Sequence, residues 1–233
     1  GFKNIMVTTV VHGENIDELE SMQDIMRELG VDIWRVVNVE PIGRAKDNKD
    51  IQLTNDEYVR MLDFIKEQRE KEEAFEICYG CNHWLGVENE HKFRDWYFKC
   101  TAGIKTGGIF YNGDIGGCLD IERRPETIMG NIRRDNFLDI WKNKFQVFRF
   151  NRANTSDKCS TCSEKENCRG NGFHTWNLDT SNPNLCMYEI YHNKSNIIDR
   201  SYYDDGELTE EDIEAVKESM QEHTPLTDEQ LVE

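Results

Sequence analysis

The sequence predicts an α/β protein in two parts, a set of parallel strands alternating with helices and then a small cysteine-rich α+β segment. Three observations carry this. The first 80 residues alternate β-rich stretches with helix-patterned ones at the spacing of β-α-β units. Near residue 90 the alternation stops, and short β-prone runs around an Asn-Gly pair take over. All eight cysteines fall between residues 78 and 186.

Ile5 to Val11 is a β-rich run. Asn15 followed by Glu18 is a helix-start pattern, and Ile16, Leu19, Met22, Met26 and Leu29 then recur at helical spacing until Gly30. Ile33 to Val39 forms a second strand, ended by Glu40-Pro41-Ile42-Gly43. Thr54 with Glu57 repeats the capping pattern before the apolar stripe Tyr58, Met61, Leu62 and Ile65, and Ala74 to Tyr79 reads as a third strand. Right-handed crossovers place both helices on one face of a parallel sheet. Three strands covered on one face are marginal alone, so further strands are expected upstream of Gly1. Beyond residue 90, Asn112-Gly113 marks a hairpin, and Phe137, Ile140, Trp141, Phe145 and Phe148 make one apolar helix face. After Arg152 the chain is polar and cysteine-rich, which needs cross-links to hold a shape. One further helix is expected to start at Thr209.

The chain carries 28 Lys and Arg against 45 Asp and Glu, a formal charge of -17, which argues against broad phosphate-backbone binding and hence against nucleic acid. Residues 201–233 hold -11 of it. A charge run of that kind is ordinarily a solvated face. No apolar run approaches the roughly 18–20 residues of a membrane span, and no export signal opens the chain. The expectation is a soluble, cytoplasmic protein with no membrane partner.

The cysteines stand as Cys78-x2-Cys81, Cys100, Cys118, Cys159-x2-Cys162-x5-Cys168 and Cys186. Disulfides fit poorly, because this chain has helices and strands to pack and no export signal. Structural zinc accepts a Cys-x2-Cys pair, yet the two pairs lie far apart. Iron–sulfur ligation accepts a close pair with distant partners and leads on spacing.

Cys100-x12-Gly113-x4-Cys118, followed by Cys159-x2-Cys162-x5-Cys168 and Cys186, resembles the seven-cysteine signature of the SPASM domain, the C-terminal extension of many radical S-adenosylmethionine enzymes. Asn112-Gly113-Asp114, Met129-Gly130-Asn131-Ile132 and Ile140-Trp141 share the resemblance, as do the strand ending Thr8-Thr9-Val10-Val11 and the stretch Val39 to Ala45. The resemblance implies that residues 1–90 are the C-terminal half of a partial (β/α) barrel, 91–198 an auxiliary iron–sulfur domain and 199–233 an acidic tail. It implies one or two auxiliary 4Fe-4S clusters, the outer held by Cys159, Cys162, Cys168 and Cys186 and the inner by Cys100 and Cys118. The family's remaining cysteine is Gly172 here. One or both of Cys78 and Cys81 are expected to supply the missing thiolate; the alternatives are that they are buried free thiols, or that the extension holds a single cluster.

No Cys-x3-Cys-x2-Cys occurs in these residues, so S-adenosylmethionine and its own 4Fe-4S cluster are expected to be held upstream. By the resemblance, Thr8, Thr9, Arg35 and Asn38 contact that cofactor, although Thr in a strand is a β-former first. Trp84, Phe93, Trp96, Tyr97 and Phe98 read as core before they read as a peptide channel, and His174 as a satisfied histidine before a cluster neighbour. The implied function is an enzyme that modifies a peptide or protein, such as a ribosomal peptide, with a flavodoxin or ferredoxin as reductant. A sulfatase-maturase-like or small-molecule dehydrogenase is the nearer alternative, and a non-catalytic iron–sulfur or zinc-stabilised partner protein the farther one.

Overall fold

A computed structural model describes residues 2–194. In order they form β1 (Met6–Val11), α1 (Leu19–Leu29), β2 (Ile33–Asn38), α2 (Asn55–Lys71), β3 (Glu76–Tyr79), α3 (Glu90–Phe93), β4 (Gly108–Ile109), β5 (Asp114–Gly116), β6 (Gly130–Asn131), α4 (Phe137–Lys144), α5 (Gln146–Arg149), α6 (Lys165–Cys168), β7 (Trp176–Asn177), β8 (Asn182–Pro183) and α7 (Met187–Lys194). They divide into two compact units, residues 2–98 with 185–194, and residues 99–184. The first unit ends later than residue 90 because Glu90 and Arg94 tie the segment after β3 to itself, and it regains 185–194 because Tyr191 packs edge-on against Phe93 and hydrogen-bonds Asp63.

In the first unit β1, β2 and β3 lie side by side and parallel, with Met6 opposite Ile33 and Arg35 opposite Cys78. Alternate side chains point to opposite faces. Val11, Trp34, Val36, Ile77 and Tyr79 face α1 and α2 and share one core with Leu19, Met26, Tyr58, Met61, Leu62 and Ile65. The opposite face is open, and Met6 and Val10 are 52% and 48% exposed there. α1 closes at Gly30, whose left-handed φ of 63° suits a residue without Cβ.

The two helix-start patterns end differently. At α2 the capping box forms: Thr54 Oγ1 accepts from Glu57 N at 3.3 Å, and Glu57 Oε2 accepts from Thr54 N at 2.7 Å. At Asn15 it does not, because that side chain turns back to accept from His12 N and to donate to the Val10 carbonyl, and a 3-10 turn precedes α1. Thr54→Ala is therefore expected to cost about 1 kcal/mol, read as a lowered thermal midpoint; an unchanged midpoint would show that the box adds nothing.

In the second unit β4, β5 and β6 form an antiparallel sheet. The Asn112-Gly113 turn closes the hairpin, with Gly113 at φ 92°, where a Cβ would also meet Asn131 Oδ1 at 2.8 Å. The apolar face from 137 to 148 is present, but Phe145 leaves helical geometry and divides it into α4 and α5. This turn places Trp141, Phe145, Phe148 and Phe173 in a ladder with ring centroids 4.9, 5.4 and 5.0 Å apart. Ile115, Ile121 and Ile140 complete that core.

Trp84, Phe93 and Phe98 are buried and belong to the packing of the first unit; Trp96 is half exposed. No helix among the described residues is long and apolar enough to cross a membrane. The expected helix at Thr209 and the acidic tail lie outside the described residues.

Candidate metal centre

No disulfide joins any of the eight cysteines, which argues against the first of the three explanations. Three of them ride on consecutive tight turns. Cys159 N donates to Ser156 Oγ at 2.9 Å, Cys162 N to the Cys159 carbonyl at 3.1 Å, and Cys168 N to the Glu164 carbonyl at 2.8 Å. Each thiol is partly exposed, as a ligand must be to receive iron. Cys186, the fourth member of the outer set, belongs to the first unit.

Cys100 and Cys168 line one small cavity of about 20 Å³ together with Lys99, Arg149, Arg152, Arg169 and Asn171. Phe173 N donates to Cys100 Sγ at 3.4 Å, and Cys168 Sγ donates to Asn171 Oδ1 at 3.3 Å. Cys118 faces Asp120, and burial raises its pKa, with Cys100 adding to the rise. Four cationic side chains and no carboxylate line the cavity. Burial and the nearby Arg169 and Lys105 lower the Lys99 pKa; burial lowers those of Arg149 and Arg152. Such a basic lining suits an anionic cluster. Sequence reasoning missed Arg152. Its only local signal was a basic residue just ahead of the cysteine loop.

Cys78 and Cys81 are buried in the first unit. Cys81 Sγ accepts from Asn38 N at 3.1 Å, and burial raises both thiols above their ordinary 9.0, with Glu76 and Glu40 adding to the rise. Burial likewise raises Tyr58 and Tyr79 above 10.0. All four stay protonated when folded while the unfolded chain ionises, so their contribution to stability is intact below about pH 9 and is lost as pH climbs toward the raised values. The urea midpoint is expected to fall between about pH 8 and about pH 10.5. Cys81→Ala should flatten that fall, and a level wild-type profile would contradict the buried, protonated state.

Of the residues assigned to the cofactor, Thr8 and Arg35 stand opposite each other on the open face of the sheet, in one row with Cys78. Arg35 donates to the Gly80 carbonyl at 2.7 Å, and a Cβ at Gly80 would fall 2.1 Å from its Nε. Thr9 and Asn38 point the other way. Thr9 Oγ1 accepts from Trp34 Nε1 at 2.9 Å, and Asn38 Oδ1 accepts from Tyr79 OH at 2.6 Å. The structure thus pairs Thr8 with Arg35 and commits Thr9 and Asn38 to internal bonds. His174 is partly buried in the turn Phe173–Thr175.

Among the described residues no three His, Cys, Asp or Glu side chains converge closely enough to hold one metal ion. The donor set is compatible with iron–sulfur ligation: cysteines on tight turns, in basic surroundings, beside a buried guanidinium whose Nε has no hydrogen-bond partner among the described residues.

Residues 100–164 match the SPASM family, an iron-sulfur cluster-binding domain. Over 177 residues the chain is 25% identical to the AdoMet-dependent heme synthase of Methanosarcina barkeri, covering 70% of this chain and 49% of that protein. Its fold is similar to that of anSMEcpe solved with bound AdoMet and a Kp18Cys peptide, with a TM-score of 0.54, 14% identity and coverage of 92% of this chain and 57% of that one. It is also similar to Streptococcus suis SuiB bound to S-adenosylmethionine, with a TM-score of 0.53, 19% identity and coverage of 74% and 41%. The chain spans about half the length of the curated relative. Residues 100–164 are thus a SPASM-type iron–sulfur segment, in a chain that is similar in sequence to an AdoMet-dependent heme synthase and in fold to proteins solved with bound AdoMet.

Proposed function

We propose that the protein is a radical S-adenosylmethionine enzyme that modifies a peptide or protein substrate and draws electrons from a flavodoxin or ferredoxin. The observation that carries this is the matched SPASM segment with its reduced thiols, in one chain with a parallel sheet whose open face presents Thr8 and Arg35. A peptide bound in one fold neighbour supports the substrate class.

When bound, S-adenosylmethionine and its cluster supply a hydrogen-abstracting radical, and the auxiliary cluster supplies a one-electron acceptor. This chain's residues hold and orient. The cysteine turns present the ligand sulfurs, and Lys99, Arg149, Arg152 and Arg169 place positive charge around Cys100 and Cys168. Of the four residues assigned to the cofactor, Thr8 alone has a side chain without a partner among the described residues, so its hydroxyl is the one free to accept or donate a bond to a ribose.

The test is anaerobic expression of the full reading frame that encodes this chain, followed by reduction with S-adenosylmethionine and candidate peptides. Formation of 5′-deoxyadenosine with a matching change in peptide mass is expected. No 5′-deoxyadenosine under any substrate would sink the proposal. A second reading, favoured by the heme synthase relative, replaces the peptide with a tetrapyrrole. It predicts the mass change on that molecule and none on the peptides.

A further inference from the structure

A second, inner auxiliary cluster needs four ligands, and the described residues are ill suited to supply them. The position where the family carries a cysteine is Gly172. The thiols expected to compensate are buried, and Cys81 is engaged by Asn38 N at 3.1 Å. Around Cys100 the space is already taken. Arg152 is 4% exposed, its guanidinium lies 4.6 Å from the Phe173 ring centroid, and its Nη2 donates to the Asn171 carbonyl at 2.7 Å. Three consecutive left-handed residues, Arg169, Gly170 and Asn171 at φ 53°, 89° and 61°, bend the chain so that this carbonyl meets the guanidinium. Strained backbone of this kind persists only where its surroundings hold it. Arg152, with Lys99, Arg149 and Arg169, lines the small cavity of about 20 Å³ left beside Cys100.

We propose that the inner auxiliary-cluster position of this chain is closed by the Arg152 guanidinium, and that the chain carries a single auxiliary cluster, on the Cys159–Cys168 loop. The inference rests on the iron–sulfur reading above and narrows it. A buried guanidinium supplies a fixed positive charge beside Cys100 and Cys168, and with no thiolate at 172 the inner position holds no ligand set for iron. Cys100 and Cys118 then serve as packing residues against the core of the second unit.

The test loads the 233-residue chain anaerobically with iron and sulfide and counts both, with spin quantitation of the reduced protein as a measurement that needs no variant. About four irons per chain and one auxiliary paramagnet are expected. The double variant Cys100→Ser, Cys118→Ser should keep that iron, and Cys159→Ser with Cys162→Ser should lose it. About eight irons in the wild type, two auxiliary paramagnets, or a loss of about four irons from the Cys100, Cys118 variant at an unchanged thermal midpoint would overturn the single-cluster proposal alone. A wild-type chain that takes up no iron overturns the iron–sulfur reading itself.

Discussion

Glu90→Ala is expected to destabilise the first unit by about 3–5 kcal/mol, because it strips the partner from a buried charge. Glu90 and Arg94 are each about 1% exposed and lie 3.1 Å apart between Oε2 and Nε. The carboxylate also accepts from Leu85 N at 2.8 Å and Phe98 N at 2.9 Å. The guanidinium donates to the carbonyls of Cys81 and His83 at 2.8 and 2.7 Å. One ion pair therefore satisfies four backbone groups of the segment after β3, which has little regular structure of its own. Removing the carboxylate leaves Arg94 charged without its counter-ion and two buried N–H groups without acceptors. Urea unfolding of Glu90→Ala and Glu90→Gln checks this. A loss below about 1 kcal/mol in the alanine variant would mean that water reaches Arg94, contrary to its burial.

Phe145→Ala should cost about 3–5 kcal/mol in the second unit. Phe145 is fully buried and sits at the break between α4 and α5, with Trp141, Phe148 and Phe137 around it at 4.9, 5.4 and 6.5 Å. The ladder continues through Phe148 to Phe173, whose N–H reaches Cys100 and whose ring carries Arg152. A cavity at its centre is thus expected to weaken the near-ultraviolet circular dichroism and to reduce iron retention along with stability. The two readouts should move together. Full iron retention in a strongly destabilised variant would show that the cysteine turns do not depend on this core.

Much of the fold was legible because it rests on local pattern. Trp34 and Val36 alternate with Arg35 and Val37 on β2, and only a strand with one covered face uses that period. Thr54 and Glu57 announced α2 correctly, since both partners of a capping box lie within one turn. The same pattern misled at Asn15, where Val10 and His12 competed for the side chain. Phe145 shows a related failure. Its helical spacing was correct, yet the chain leaves helical geometry at Phe145, and both Phe145 and Phe148 lie in the aromatic core.

The cysteine spacings, by themselves, carried the resemblance to the SPASM domain and favoured iron–sulfur chemistry, because a ligand set is a property of residue type and order. What surrounds those sulfurs was decided only by tertiary structure. Arg152 meets the Asn171 carbonyl across 19 positions, and Phe173 meets Cys100 across 73. Thr9 and Asn38, equivalent to Thr8 and Arg35 when read as letters, turn inward to Trp34 and Tyr79. Whether a polar group is spent inside the protein or left to face a ligand depends on which distant group arrives beside it, and burial makes that choice costly to reverse.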